Sequence, residues 1–155
     1  MKKYCENCKR YVSTQLTEKI EVYNVYEDIV KIKAKVLICP ECGNEFYSEK
    51  FDNDTLIRAY GIYRKKHNLL FPEEIKKIRE QYGLSQSDFT TLLNWDNNAI
   101  SKYENGSIQN KNRNDLLLFL QEPKNMITYL TENKTPLNKK QKTKLLNVAK
   151  KLATR

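Results

Sequence analysis

The segment Leu84-Ser85-Gln86-Ser87-Asp88-Phe89-Thr90-Thr91-Leu92-Leu93-Asn94-Trp95-Asp96-Asn97-Asn98-Ala99-Ile100-Ser101-Lys102-Tyr103-Glu104-Asn105-Gly106 decides the fold of the C-terminal half. Ser85 is placed to cap a helix, and Asp88 three residues on resembles the partner of a capping box. Phe89, Leu92 and Leu93 recur at helical spacing and point inward. Asn94 sits where a sharp turn needs positive φ, which Asn tolerates best after Gly. Asp96 is the expected cap of a second helix, and Gly106 ends it. At about 100° per residue, Asn98, Ser101, Lys102 and Asn105 share one narrow sector of that helix, with Ile100 and Tyr103 opposite. An outward face of Asn, Ser and Lys can hydrogen-bond base edges and phosphates. The plainer alternative is an ordinary solvated face.

Outward from this segment the pattern stays helical. Phe71-Pro72-Glu73-Glu74 opens the preceding helix, with Pro and two acids where a helix N-terminus favours them. Ile75, Ile78 and Tyr82 are its buried stripe, and Gly83 is its stop. Short helices continue to Asn133. The chain restarts at Thr135-Pro136, and Leu145, Val148, Ala149 and Leu152 form an apolar stripe on a Lys-rich helix. Before Phe71, Leu56, Ile57, Tyr60 and Tyr63 recur at helical spacing from about Asn53. Arg64 to Asn68 reads as the polar end of a connecting helix.

The first fifty residues are of another kind. Ile20-Glu21-Val22-Tyr23-Asn24-Val25-Tyr26 and Val30-Lys31-Ile32-Lys33-Ala34-Lys35-Val36 alternate as strands do, with Glu27-Asp28 as the turn between them. Val30, Ile32, Ala34 and Val36 share one face. A Cys-x-x-Cys pair stands at each end, Cys5 with Cys8 and Cys39 with Cys42. Two such knuckles brought together by a hairpin supply the four soft ligands of a tetrahedral zinc site. Gly43 permits positive φ after the second knuckle, so backbone N–H groups can turn toward the thiolates; Lys9 holds the matching place in the first. A redox pair would occur once and precede a helix, so a structural Zn2+, one per chain, is the expected cofactor. With every position filled by thiolate, no site is left for water.

The net charge of +9 is unevenly placed. Residues 1–50 carry +1, residues 51–70 carry +2, and residues 71–133 carry −2 (7 Lys and Arg against 9 Asp and Glu). Residues 134–155 carry +8, with no acid at all. No apolar run approaches the ~20 residues of a membrane span, and the N-terminus has no apolar core behind its charges. A cytoplasmic protein with no membrane partner is the expectation. No catalytic constellation assembles: the one histidine, His67, stands beside Lys65 and Lys66 and reads as a solvated side chain, so an enzyme is not expected.

The helical segment resembles the Cro-repressor-like helix-turn-helix, through Leu84-Ser85-Gln86, Ile100-Ser101-Lys102 and Glu104-Asn105-Gly106, with Thr90 in place of the usual Ala and Asn94 in place of the usual Gly. The whole of Cys5 to Asn133, a two-knuckle zinc domain, a connector and this module, resembles the MqsA (YgiT-type) antitoxins in order and spacing. Asn98 to Glu104 matches that family's recognition-helix signature. The resemblance implies that Asn98 and Lys102 read operator bases; Lys102 stands where Arg is common and lacks its bidentate fork. It also implies that the zinc domain binds a cognate toxin and that the Cro-like domain forms a homodimer.

The expected fold class is α+β: a small antiparallel β zinc domain (1–50), a helical connector (51–70), an all-α helix-turn-helix domain (71–133) and a basic C-terminal helix (134–155). The expected ligands are Cys5, Cys8, Cys39 and Cys42. The expected contacts to double-stranded DNA at a palindromic operator are Gln86, Asn97, Asn98, Ser101, Lys102 and Asn105. The function these expectations describe is an antitoxin of a type II toxin-antitoxin system acting as a transcriptional repressor. Two alternatives remain at this point: a free-standing phage or mobile-element regulator without a toxin, and a zinc-ribbon adaptor whose helices serve only for dimerisation.

Overall fold

A computed structural model describes residues 1–155. It has the α+β architecture expected from the sequence, five short or medium strands followed by seven helices. The chain divides into two compact units, Met1–His67 and Asn68–Arg155.

In the first unit, β1 (Lys2–Cys5) pairs antiparallel with β2 (Arg10–Ser13). A separate sheet has the order β3-β4-β5, with β3 (Gln15–Val25), β4 (Asp28–Ile38) and β5 (Glu45–Phe46) all antiparallel. Val30, Ile32, Ala34 and Val36 of β4 are buried on one face. Because side chains alternate with period two, that apolar set fixes the hairpin register. Tyr23, Glu21, Lys19 and Thr17 pair with those four residues and are half-buried, so Ile20 and Val22 are turned to the outer face, each 59% exposed.

Helix α1 (Glu49–Lys66) lies across β4. It begins four residues before the sequence suggested and passes through Gly61 without a break. Its buried residues are Thr55, Ala59, Tyr63 and Arg64, whereas Leu56 and Ile57 are exposed. Thr and Ala are small enough to let the helix backbone approach the sheet, and the apolar period misplaced that face by a residue or two. The stretch 51–70, read from the sequence as a connector, thus places most of its length against the sheet. His67 is not the freely solvated side chain expected of it. Its Nε2 lies 2.9 Å from Asp28 Oδ2, its ring stacks 4.2 Å from Tyr63, and the pair ties the end of α1 to the start of β4. With Lys66, this hydrogen bond holds the Asp28 carboxyl below its ordinary range.

The second unit is helical: α2 (Pro72–Gln81), α3 (Gln86–Leu93), α4 (Ala99–Glu104), α5 (Lys111–Gln121), α6 (Pro123–Glu132) and α7 (Lys139–Ala153). One core takes residues from all six, among them Ile75, Phe89, Leu92, Ile100, Leu117, Met126 and Leu145. A buried amide cluster closes its N-terminal edge. Asn114 Oδ1 accepts from Leu70 N–H at 2.8 Å and from Gln109 Nε2 at 3.0 Å, while Gln109 Nε2 also donates to Leu70 O at 2.9 Å. The expected stops and starts hold for α2: Pro72 opens it, Tyr82 is buried after it, and Gly83 follows with φ +67°.

Candidate metal centre and nucleic-acid interface

The β1–β2 turn presents Cys5 and Cys8, and the segment after β4 presents Cys39 and Cys42. The four Sγ atoms lie within 4.8 Å of one another. Cys5 to Cys42 is 3.5 Å and Cys8 to Cys39 is 3.8 Å. A tetrahedron with metal–sulfur bonds of ~2.3 Å has its sulfurs ~3.8 Å apart, so the cluster has the dimensions of a four-thiolate site. Cys5 and Cys39 are buried against Val12, with Cys8 and Phe46 packed on them. No disulfide competes, since all four thiols are free.

Both knuckles close through left-handed residues. Gly43 has φ +75° and its N–H donates to Cys39 O at 2.9 Å, and Lys9 adopts φ 53° at the matching place despite its side chain. The Asn44 backbone N–H holds the Cys42 thiol down to about 7, whereas the hydrogen bond to Cys42 and then burial push the Cys8 thiol up. An ion pair the sequence did not disclose, Arg10 with Glu41, joins the two knuckles from outside. The residues therefore fit a metal ion of borderline softness such as zinc.

In the second unit, Ser85 Oγ accepts the Asp88 N–H at 3.0 Å, and Asn94 follows α3 at φ 54° in the left-handed region, as its position demanded. Thr90, at 6% exposure, donates its hydroxyl to Gln86 O at 2.8 Å, so the larger residue is accommodated without an unpaired oxygen. The expectation for Asp96 fails. The residue flanking α4 is Asn98, at φ 66° and with no side-chain cap, and Asp96 instead accepts from Arg113 Nη2 at 2.8 Å. Arg113, on α5, also donates to Tyr103 Oη at 2.7 Å and lies 4.6 Å over the Trp95 ring. It clamps the turn between α3 and α4 to the end of α4. Nothing local in the sequence marks Arg113, which is 17 residues from its carboxylate partner.

The same correction moves Asn98 out of the helical sector drawn for it. Even so, Asn98 and Asn97 join Gln86 and Ser101 around one cavity of about 370 Å³ between α3 and α4, to which Thr91 and Trp95 also contribute. No charged side chain lines it. Lys102 and Asn105 lie outside it and are exposed, with Asn105 Nδ2 donating to Ser101 Oγ at 3.4 Å. Trp95 is a cavity residue outside the expected contact set, although a sole tryptophan in an inter-helix turn is a usable signal. Glu104 faces away from the cavity side and is paired bidentately with Arg79 of α2, at 2.8 and 2.9 Å.

No helix is long and apolar enough to cross a membrane. Among the curated proteins there is no match to this chain. Residues 1–127 match a family model described as "Antitoxin component of bacterial toxin-antitoxin system, MqsA". That is a regulatory family, not an enzyme family, and the match spans both the cysteine cluster and the α3–α4 cavity. With more than four fifths of its length covered, the chain belongs to the MqsA antitoxin family.

Proposed function

We propose that this antitoxin is an operator-binding repressor that also sequesters a toxin, working as a homodimer in the cytoplasm. The observation that carries the DNA-binding part is the uncharged amide-rich cavity between α3 and α4, where Gln86, Asn97 and Asn98 converge. Side-chain amides pair bidentately with the N6/N7 edge of adenine, and a short helix held rigidly at the surface can present them to a major groove. Lys102 and Asn105, beside the cavity, are then available to bases or phosphates. α4 has only six residues, too few to hold its own shape, so Arg79–Glu104 and the Arg113 clamp supply the rigidity that readout needs.

The four-cysteine cluster holds one Zn2+ per chain in a structural role. It fixes the β1–β2 ribbon to the 39–44 segment, and four thiolates leave no open coordination position. The toxin binds this first unit. Supporting that assignment, Ile20, Val22 and Ile29 are all exposed on the outer face of the β3–β4 hairpin, in line with Lys31, Lys33 and Lys35. Their cross-strand partners are Lys33, Lys31 and Asn24, which gives this face the mixed apolar and polar character of protein contact surfaces.

The reading is tested by footprinting the full chain on DNA upstream of its own reading frame, and by co-expressing it with the adjacent small reading frame. Protection of a near-palindrome with half-sites about one helical turn apart, and co-purification of the neighbouring product, are expected. Absence of any protected sequence would refute the repressor reading. Absence of a stable complex would refute the toxin reading.

A further inference from the structure

The family match ends at residue 127, so α7 lies beyond it. Leu145 and Ala149 of this helix are buried in the unit's core, and Leu137 just before it is also buried. At about 100° per residue, Lys139, Lys140, Lys144, Lys150 and Lys151 fall within an arc of about 140° centred opposite that stripe. All five are exposed. They extend along about 18 Å of helix axis. No acid follows Glu132 in the sequence. The ion pairs of this unit are all elsewhere, at Lys76–Glu80, Arg79–Glu104, Lys111–Asp115 and Arg113–Asp96. Lys139 and Lys140 also stand in the first turn, where the helix dipole disfavours cations, and no acidic residue shares that turn.

From this geometry we infer that α7 is a second nucleic-acid contact, a sequence-independent binding face for the phosphates of duplex DNA. The occupant follows from what the face has and lacks. It is a broad band of point charges with no apolar or aromatic residue inside the arc, whereas protein interfaces are anchored by such residues. A membrane-surface helix needs a free apolar face, and this one is spent in the core. Duplex DNA carries one charge per ~1.7 Å of axis, a density that a band of lysines along a helix can neutralise. The remainder of the unit, residues 68–133, carries 7 Lys and Arg against 9 Asp and Glu, so without α7 it would repel DNA at long range. This inference does not depend on which helix reads bases.

The test uses the full chain and a random-sequence duplex of about 30 base pairs, with affinity measured across a salt series. A variant with Lys139, Lys140, Lys144, Lys150 and Lys151 all changed to Gln leaves the apolar stripe intact, and helicity is checked by circular dichroism. Each lost phosphate contact lowers the slope of log K against log salt by ~0.9, so losing all five lowers it by about 4.5 per chain. The same five positions changed to Arg should keep the parent slope. An unchanged slope in the Gln variant overturns the inference. So does an equal drop in the Arg variant, which would reveal a merely structural role.

Discussion

Glu104 and Arg79 form the most deeply buried ion pair of the second unit, with side chains 6% and 12% exposed. Arg79 Nη1 also donates to Leu84 O at 2.9 Å, so one guanidinium fixes α4, α2 and the entry to α3. Removing one partner leaves the other charged and desolvated, whereas replacing both by apolar groups of similar volume costs far less. Glu104→Ala should therefore lower the urea-unfolding free energy of the unit by about 3 kcal/mol, and Arg79→Met with Glu104→Leu by much less. A loss in the double variant as large as in the single one would contradict this. Asn114→Ala orphans the buried Leu70 N–H and should cost about 1–3 kcal/mol in the same assay. Asp96 tests the clamp by pH. The Arg113 hydrogen bond holds its carboxyl below the ordinary range, so its contribution is fully present above the unfolded value near 4. It disappears as pH falls through the lower folded value. The stability difference between parent and Asp96→Asn should accordingly be constant from about pH 5 to 8 and close below about 4. A gap that persists in acid would place the effect outside this ion pair.

At the scale of elements, the parts governed by local rules were the legible ones. Ser85, Asn94 and Gly83 announced the limits of α2 and α3 because caps and left-handed turns depend on a few adjacent residues. The four cysteines announced their cluster because knuckle spacing is itself the geometry. What could not be read depended on distant partners. Asp96 has the chemistry of a cap, but an arginine on α5 takes its carboxylate first. Leu56 and Ile57 have the period of a core face, yet the sheet takes Thr55 and Ala59, since close approach to β4 favours small residues. The amide cavity was only half legible: Gln86, Asn97, Asn98 and Ser101 meet there, but Asn98 arrives through a left-handed backbone rather than a helical sector. Metal removal is the test at this scale. β1 and β2 have four residues each and a core of little more than Val12 and the cysteines, so chelation should disorder residues 1–13 and 39–46. Resonances of the second unit should not move. Native tertiary structure around Cys5 and Cys39 in reduced, metal-free protein would contradict the structural role of the metal.

For the whole molecule, one chain carries a cysteine-clustered unit and a helical unit, each with a core of its own. The work proposed for the helical unit divides into two measurable quantities. Sequence discrimination is the role proposed for the α3–α4 cavity, and salt-dependent affinity is the role inferred for α7. Readout of the operator by the cavity is tested by the ratio of operator to random-DNA affinity for Asn98→Ala against the parent, at one salt concentration. Operator binding should fall by about 1–3 kcal/mol while random-DNA binding is almost unchanged, so that the ratio collapses. If Asn98→Ala keeps the parent's ratio, the α3–α4 cavity is not where this antitoxin reads DNA.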